Sequence, residues 1–320
     1  MAYLIGTDEA GYGPNLGPLV ISATAWRVDS SNLHHDLYDL LADRIVSSPT
    51  KAGDAQISIA DSKKLYKPGA GLAGLERGLF SMLGLLHPIP CSWQQAWEIL
   101  APESSGLLDS IPWYANYNGP IPSHTDHNEL TQLVKGLEFL FREQHVALVA
   151  IQSKPIFSNR FNELIEQFGS KGAALSKTTL QLIASLIDQL NDEPIHVVCD
   201  KHGGRNRYGP LLQEVFPEYL IEVHREGRAE STYQWGPPSS RVTISFRARG
   251  ESFLPSALAS MASKYLRELA MQALNVFWQS HLPNLKPTAG YPVDARRFKS
   301  EIATVQEKLR IEDRVLWRSR

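Results

Sequence analysis

The feature that most constrains this chain is a run of carboxylates, glycines and prolines at residues 5–20. The run reads IGTDEAGYGPNLGPLV, with Asp8 and Glu9 side by side between an apolar segment and a glycine- and proline-rich turn. Because adjacent residues of a strand point to opposite faces, both carboxylates reach one site only if the strand ends or bends between them. The glycines permit a bend and a close backbone approach. We expect a functional pair of acids here; a polar hairpin turn with incidental acids is the alternative.

Asp200 stands at the end of another predicted strand. Residues 146–151 and 195–200 are short apolar runs typical of buried strands, and a helical pattern with apolar residues three or four apart lies between them. This order predicts a βαβ unit with parallel neighbouring strands. Functional groups of open α/β sheets gather at the carboxyl ends of strands, where Asp200 is placed. An Asp that only starts a turn is the alternative.

Two short basic segments are candidate phosphate contacts. One is DSKKL at residues 61–65, and the other is a glycine-rich segment that follows Asp200. Lysine, arginine and hydroxyl side chains are common phosphate contacts in nucleic-acid-binding proteins. For the first segment, a helix cap followed by a solvated charged face is the alternative. The candidates are Ser62, Lys63, Lys64, Arg205 and Arg207.

The charge and the cysteine content exclude several classes of protein. The 320 residues carry a formal net charge of −2, which argues against a uniformly basic nucleic-acid coat but allows a local basic groove. Two cysteines, Cys91 and Cys199, do not make a disulfide framework. The sequence shows no signal peptide and no apolar run of transmembrane length. We therefore expect a cytoplasmic protein with no membrane association.

A segment rich in aromatic residues spans about 85–130 and includes Trp93. Such residues can form a platform for base stacking, but they more often pack a small subdomain onto its host, and we favour packing. His124, Asp126 and His127 carry ligand-type side chains in the same segment. Without a further partner nearby in the sequence, we interpret them as surface residues.

Taken in chain order, the motifs resemble those of the type 2 ribonuclease H family. The matching features are DEAGxGP followed by GPLV, then DSKKL, a strand ending in Asp, an acid before a helix with Ala-Ser-x-Ala-x-Lys, and Gly-Tyr-Pro. The resemblance covers about residues 3–84 and 145–300 and leaves the aromatic segment outside. It implies an α/β fold, a ribonuclease H-like mixed sheet flanked by helices. We expect a catalytic domain over 1–280, with an insertion at about 85–130, and a C-terminal extension over 281–320 that packs on it.

The resemblance implies four catalytic acids that hold two Mg²⁺ or Mn²⁺ ions. Two such ions can activate a water and neutralise charge on a phosphate, and Mg²⁺ prefers oxygen ligands. Without metal, the clustered carboxylates should repel one another. The fourth acid precedes the Ala-Ser helix, where the family usually has Asp, and Glu230 is an alternative separated from that helix by a hairpin. The implied acids are Asp8, Glu9, Asp200 and Glu251.

The resemblance also assigns the substrate contacts. The backbone of Gly11, Tyr12 and Gly13 would approach the ribose 2′-OH, the group that separates RNA from DNA. The basic candidates named above and Lys264 would hold phosphates, and Tyr291 would stack on the sugar at an RNA–DNA junction. The family generally carries Arg or Lys where Tyr12 stands. This departure points to a divergent member with altered substrate preference.

The expected function is that of a metal-dependent endonuclease acting as a monomer. It would hydrolyse the RNA strand of RNA–DNA hybrids, or cut at ribonucleotides embedded in duplex DNA, leaving 5′-phosphates. One alternative is a nucleic-acid-binding module of the same fold with little or no catalysis. Another is a DNA-structure nuclease indifferent to the 2′-OH. Retention of all four acidic positions favours an enzyme, because clustered carboxylates without a cation are destabilising.

Overall fold

The computed structural model of the chain describes residues 1–33, 35–66, 71–248 and 250–319, and for Glu251 only the backbone is described. Within these ranges the strands are β1 (Ala2–Ala10), β2 (Leu19–Val28), β3 (Ile45–Val46), β4 (Ile57–Ser58), β5 (Ala147–Ile156), β6 (Ile195–Asp200), β7 (Glu222–Arg225), β8 (Glu230–Trp235) and β9 (Val242–Arg247). The helices are α1 (Leu37–Leu40), α2 (Ser62–Leu65), α3 (Ala73–Leu83), α4 (Trp93–Leu100), α5 (Pro102–Leu108), α6 (His127–Glu143), α7 (Ser158–Phe168), α8 (Lys171–Ile187), α9 (Gly209–Val215), α10 (Leu254–His281), α11 (Pro292–Lys308) and α12 (Asp313–Leu316).

One mixed sheet organises the described residues. Its strand order is β5-β2-β1-β6-β9-β8-β7. β1 runs parallel to β6, and β6 runs parallel to β9, whereas β2 is antiparallel to both β1 and β5. β8 is antiparallel to β9 and to β7. The predicted α/β fold, a mixed sheet flanked by helices, is confirmed.

The βαβ prediction is correct in direction and wrong in adjacency. β5 and β6 point the same way, but β2 and β1 lie between them in the sheet. The helices α7 and α8 therefore carry the chain past an antiparallel pair formed by the first two strands. Local sequence could not reveal this, because β1 and β2 come from residues far earlier in the chain.

The sheet separates two apolar cores. Leu4 packs with α10 and α3 on one face, while Tyr3 and Ile5 pack with α8 on the other, as the alternation along a strand requires. Gly6 lets the start of α10 lie directly on β1. A Cβ at that position would lie 2.1 Å from the backbone nitrogen of Ser256, so no larger residue fits without moving the helix.

The aromatic segment packs against α10. Trp93 and Trp97 are buried on α4, with ring centroids 5.4 Å apart, and Trp113 is buried in the same core. The indole nitrogen of Trp93 donates to the carbonyl of Leu269 on α10 over 3.2 Å. These rings therefore serve packing and are not exposed for base stacking.

Residues after α10 pack on the same core through Phe298, Ile302 and Leu316. The division of the chain at residue 280 nevertheless stays a prediction. None of the helices in the described ranges combines the length and the apolar character that a membrane-spanning helix needs.

Replacing Gly6 with Ala should lower the free energy of unfolding by about 1–3 kcal/mol, because the added methyl group overpacks β1 against α10. Urea unfolding measures this change. The matched control is Gly106→Ala on α5, where an added Cβ meets nothing within 4 Å and should be neutral or slightly stabilising. Equal stability of the two variants would contradict the close contact between α10 and β1.

Candidate metal centre

Two neighbouring parallel strands bring Asp8 and Asp200 to the same edge of the sheet. In the register of β1 and β6, Thr7 lies opposite Cys199, so the next residue of each strand is an acid. β6 ends at Asp200 and β1 ends two residues after Asp8, and carboxyl ends of parallel strands are where sites in such sheets form. Glu9 follows Asp8 and remains part of β1.

From the sequence we expected the strand to end or bend between Asp8 and Glu9. This expectation is wrong. β1 stays paired with β2 through Asp8, Glu9 and Ala10 without a register shift. The turn begins only at Gly11, whose φ is +90°. The charges of Asp8 and Asp200 therefore act on Glu9 without any bend of the strand between Asp8 and Glu9.

These carboxylates are partly buried and repel one another. Burial raises the pKa of Asp8 to about 7; the charges of Asp200 and Asp61 add to the rise, and a hydrogen bond from Ser260 opposes it. The pKa of Glu9 is raised to about 8. Burial is the largest cause, the charges of Asp8 and Asp200 add to the rise, and the charge of Lys63 opposes it. Both directions mean that the ionised cluster is unfavourable without a counter-charge.

Asp61 is a member of this cluster that we interpreted from the sequence only as a possible helix cap. It does cap α2, accepting from the backbone nitrogen of Lys63 over 3.0 Å. Its charge nevertheless reaches Asp8. The sequence feature that could have revealed this role is the position of Asp61 as the first residue of DSKKL. An Asp that caps a helix and an Asp that faces a site, however, have the same local sequence.

Small hydroxyl side chains of α10 connect the acidic strand to α2. The Ser263 hydroxyl donates to the carbonyl oxygen of Asp8 over 3.0 Å. The Ser260 hydroxyl contacts the Ser62 hydroxyl over 3.1 Å, and Ser62 is itself buried. Ser62 thus ties α2 to α10 in this structure.

The fourth acid cannot be placed by its side chain, because the side chain of Glu251 lies outside the described part of the structure. Its backbone belongs to a short turn at residues 250–252, directly before α10. The neighbouring Gly250 lies against Asp200: a Cβ added to Gly250 would lie 3.2 Å from the Asp200 nitrogen. The turn that carries Glu251 therefore adjoins the acidic strand end.

Glu230, the alternative, is engaged elsewhere. Its carboxylate accepts from Arg247 over 2.7 Å and lies 3.6 Å from Arg225. It belongs to β8, which β9 separates from the strand of Asp200. This position favours Glu251 over Glu230.

The basic candidates differ in how accessible they are. The Lys63 side chain is 90% exposed and its ammonium lies 4.0 Å from Asp61. Lys64 lines a separate cavity of about 440 Å³ beside Arg77 and Glu129. Lys264 forms an ion pair with Glu268.

Arg205 and Arg207 lie on a loop that hydrogen bonds from the Lys201 side chain hold in place. The Lys201 ammonium donates to the carbonyls of Gly227 over 2.6 Å and Arg205 over 3.3 Å. Arg207 is exposed, with its guanidinium 3.6 Å from Glu226. The loop after Asp200 is therefore held, while the Arg207 side chain faces solvent.

Lys264 is already paired with a carboxylate. Its ammonium contacts Glu268, one turn later on α10, and lies 4.2 Å from the ring centroid of Tyr66. The Tyr66 hydroxyl donates to the other oxygen of Glu268 over 2.8 Å. A phosphate that binds Lys264 must compete with Glu268.

The glycine-rich loop, residues 11–17, and the Gly-Tyr-Pro segment meet in space. The backbone nitrogens of Asn15 and Leu16 donate to the carbonyl of Gly290 over 2.8 and 3.3 Å. Tyr291, the next residue, is 58% exposed. Tyr12 is half-buried near Glu9, and burial followed by the Glu9 charge raises its pKa. The glycine-rich loop thus connects the end of β1, which carries Asp8 and Glu9, to the segment that carries Tyr291.

The chemistry of the acidic cluster fits Mg²⁺ or Mn²⁺, because carboxylate oxygens are hard ligands and a cation would relieve their repulsion. Within the described residues, however, no three His, Cys, Asp or Glu side chains converge closely enough to form a ready-made cation site.

Comparison with solved structures finds ribonucleases H at low similarity. The ribonuclease H2 of Pyrococcus horikoshii OT3 is 14% identical with a TM-score of 0.46, over 98% of this chain and 92% of that one. The PCNA:RNase HII complex from Archaeoglobus fulgidus matches at 13% identity and 0.41, over 99% and 94%. Bst-RNase HIII in complex with Mn²⁺ matches at 14% and 0.41, over 99% and 66%. No protein-family model and no curated protein is found to match the chain.

The stability of the metal-free protein should fall as pH rises from about 4 to 8. The folded-state pKa values of Asp8 and Glu9 are raised, so the folded state binds more protons than the unfolded state across this window and ionisation removes stability. Asp8→Asn should reduce this fall, and Mg²⁺ or Mn²⁺ should oppose it in the wild type.

Urea unfolding in EDTA at about pH 5 and about pH 8 measures the effect, with Asp192→Asn at an exposed position as the control. The account is contradicted if Asp8→Asn keeps the pH dependence of the control.

Proposed function

We propose that this chain is a divalent-cation-dependent endonuclease that hydrolyses phosphodiester bonds at ribonucleotides, in RNA–DNA hybrids or in duplex DNA. The observation that supports it most is the cluster of partly buried acids at the ends of β1 and β6, next to the glycine-rich loop. The sequence motifs and the surrounding basic and aromatic residues are consistent with the same chemistry.

Asp8, Glu9, Asp200 and Glu251 are the residues we assign to hold Mg²⁺ or Mn²⁺. When bound, two such ions supply an activated water and neutralise the charge on the phosphate. The protein contributes by keeping Asp8, Glu9 and Asp200 partly buried, where the attraction of a carboxylate for a cation exceeds that of a fully exposed carboxylate.

The remaining residues would bind and orient the nucleic acid. Lys63 is exposed beside Asp61 and Glu9, so a phosphate that approaches the acids also approaches its ammonium. Gly13 is exposed on the loop, and Tyr291 is an exposed residue directly after Gly290, which accepts from the loop. We assign the loop amides to the ribose 2′-OH and the Tyr291 ring to stacking on a sugar.

Cleavage of a labelled DNA duplex with a single ribonucleotide tests this proposal. We expect a cut at the ribonucleotide that needs Mg²⁺ or Mn²⁺ and falls at least about hundredfold in Asp8→Asn and in Asp200→Asn, since each variant removes a carboxylate that would hold the cations. Asp192→Asn should retain wild-type activity.

An all-DNA duplex and an RNA–DNA hybrid are run in parallel. Equal cutting of the all-DNA duplex would remove 2′-OH recognition from the proposal and leave a DNA-structure nuclease. Binding of the substrates without cutting by the wild type would contradict the enzyme and favour a binding module of the same fold.

Glu268→Gln should strengthen binding to an RNA–DNA hybrid by releasing Lys264 to a phosphate. One extra phosphate contact steepens the slope of log K against log salt by about 0.9. Fluorescence anisotropy in EDTA over a range of salt measures the slope.

The matched control for this substitution is Glu301→Gln on α11. Glu301 also pairs with a cation one turn away, Arg297, and its loss changes the net charge equally. An identical slope for the two variants would show that Lys264 takes no part in phosphate binding.

A further inference from the structure

Arg318, in the segment after α12, reaches back to the glycine-rich loop. Its guanidinium donates to the carbonyl of Gly11 over 2.5 Å and also to that of Pro14. Its backbone nitrogen donates to the carbonyl of Asn15 over 2.9 Å, and the Asn15 side chain donates back to the Arg318 carbonyl over 3.0 Å. Four hydrogen bonds thus join these residues to one another.

The Arg318 side chain is fully buried, which is unfavourable for a guanidinium. Burial, and then the charge of Arg267, lower its pKa. In the described part of the chain no carboxylate pairs with it, and its Nε and Nη1 donate no hydrogen bond. The carbonyl oxygens of the loop and the ring of Phe161, 4.5 Å away, are its favourable contacts. The buried charge of Arg318 is therefore stabilised mainly by carbonyl oxygens of the glycine-rich loop.

Arg267 of α10 holds the other end of the loop from the same side. Its guanidinium donates to the carbonyls of Pro18 over 2.6 Å and Leu16 over 3.1 Å. Two arginines thus bind loop carbonyls, whereas among the described residues the amides of Tyr12 and Gly13 have no acceptor. This leaves those amides available to a ligand.

We infer that Arg318 is a positioning residue for the nucleic-acid substrate: it fixes the glycine-rich loop through its carbonyls, so that the Tyr12 and Gly13 amides meet the sugar beside the acidic cluster. The inference rests on the proposed function for the identity of the ligand. Arg318 lies outside the part of the chain that resembles the type 2 ribonucleases H.

Hydrogen exchange of the full chain tests the hold of Arg318 on the loop. In Arg318→Met, the loop amides of Asn15 and Leu16, which donate to Gly290, should exchange about tenfold faster or more, because each lost charge-assisted hydrogen bond favours local opening by about this factor. Arg318→Lys should show a smaller change. Arg314→Met, which removes an exposed arginine four residues earlier, should leave the loop at the wild-type rate. Unchanged loop exchange in folded Arg318→Met or Arg318→Lys would overturn the inference.

The kinetic arm separates positioning from general stability. With the single-ribonucleotide duplex, Arg318→Met should raise KM about tenfold, with partial recovery in Arg318→Lys and none of the effect in Arg314→Met. A loosened loop with unchanged KM and kcat would overturn the positioning role. If the wild type cuts no substrate, the proposed function fails, and the exchange rates still decide whether Arg318 fixes the loop. If Arg318→Met does not fold, Arg318→Lys decides both arms.

Discussion

Mutual repulsion of partly buried carboxylates is the interaction on which the architecture of this site depends. Asp8 and Glu9 lie where burial and like charge both oppose ionisation, and the charges of Asp200 and Asp61 add to that repulsion. A sheet that places the ends of β1 and β6 side by side creates this arrangement, and the hydroxyls of α10 hold it through Ser260 and Ser263. Without a bound cation, such a cluster lowers the stability of the folded protein, and a divalent cation is the simplest counter-charge for it.

The charges around the glycine-rich loop are segregated. Asp8 and Glu9 lie at the end of the strand that leads into the loop. The buried guanidinium groups of Arg267 and Arg318 donate hydrogen bonds to carbonyl oxygens on and next to the loop. Within the described residues, neither arginine forms an ion pair with the acids. If a carboxylate of the cluster neutralised one of these arginines, it would no longer be available to a cation.

Sequence reasoning placed the acids because each signal was local. An apolar run followed by Asp marks the carboxyl-terminal part of a strand, which placed Asp200 at the end of β6 and Asp8 two residues before the end of β1. It failed on the adjacency of β5 and β6, which depends on the earlier β1–β2 pair, and on the continuity of β1 through Glu9. Asp61 was underestimated because helix capping and site membership look alike in sequence.

Other contacts differed in how far the sequence could reveal them. Lys264 and Glu268 are four residues apart on one helix, and that spacing would have predicted their ion pair. The pairing of Glu230 with Arg247 required the register of β8 and β9. The contact of Arg318 with Gly11 spans most of the chain, and no local pattern indicates it.

The most direct test of the account is the position of bound Mn²⁺ in a crystal of this protein, located by anomalous scattering. The account predicts an anomalous peak within coordination distance of carboxylate oxygens of Asp8 and Asp200, and the loss of that peak in Asp8→Asn. A peak only elsewhere, or none at saturating Mn²⁺ with the cluster intact, would contradict the claim that these buried acids form a cation site.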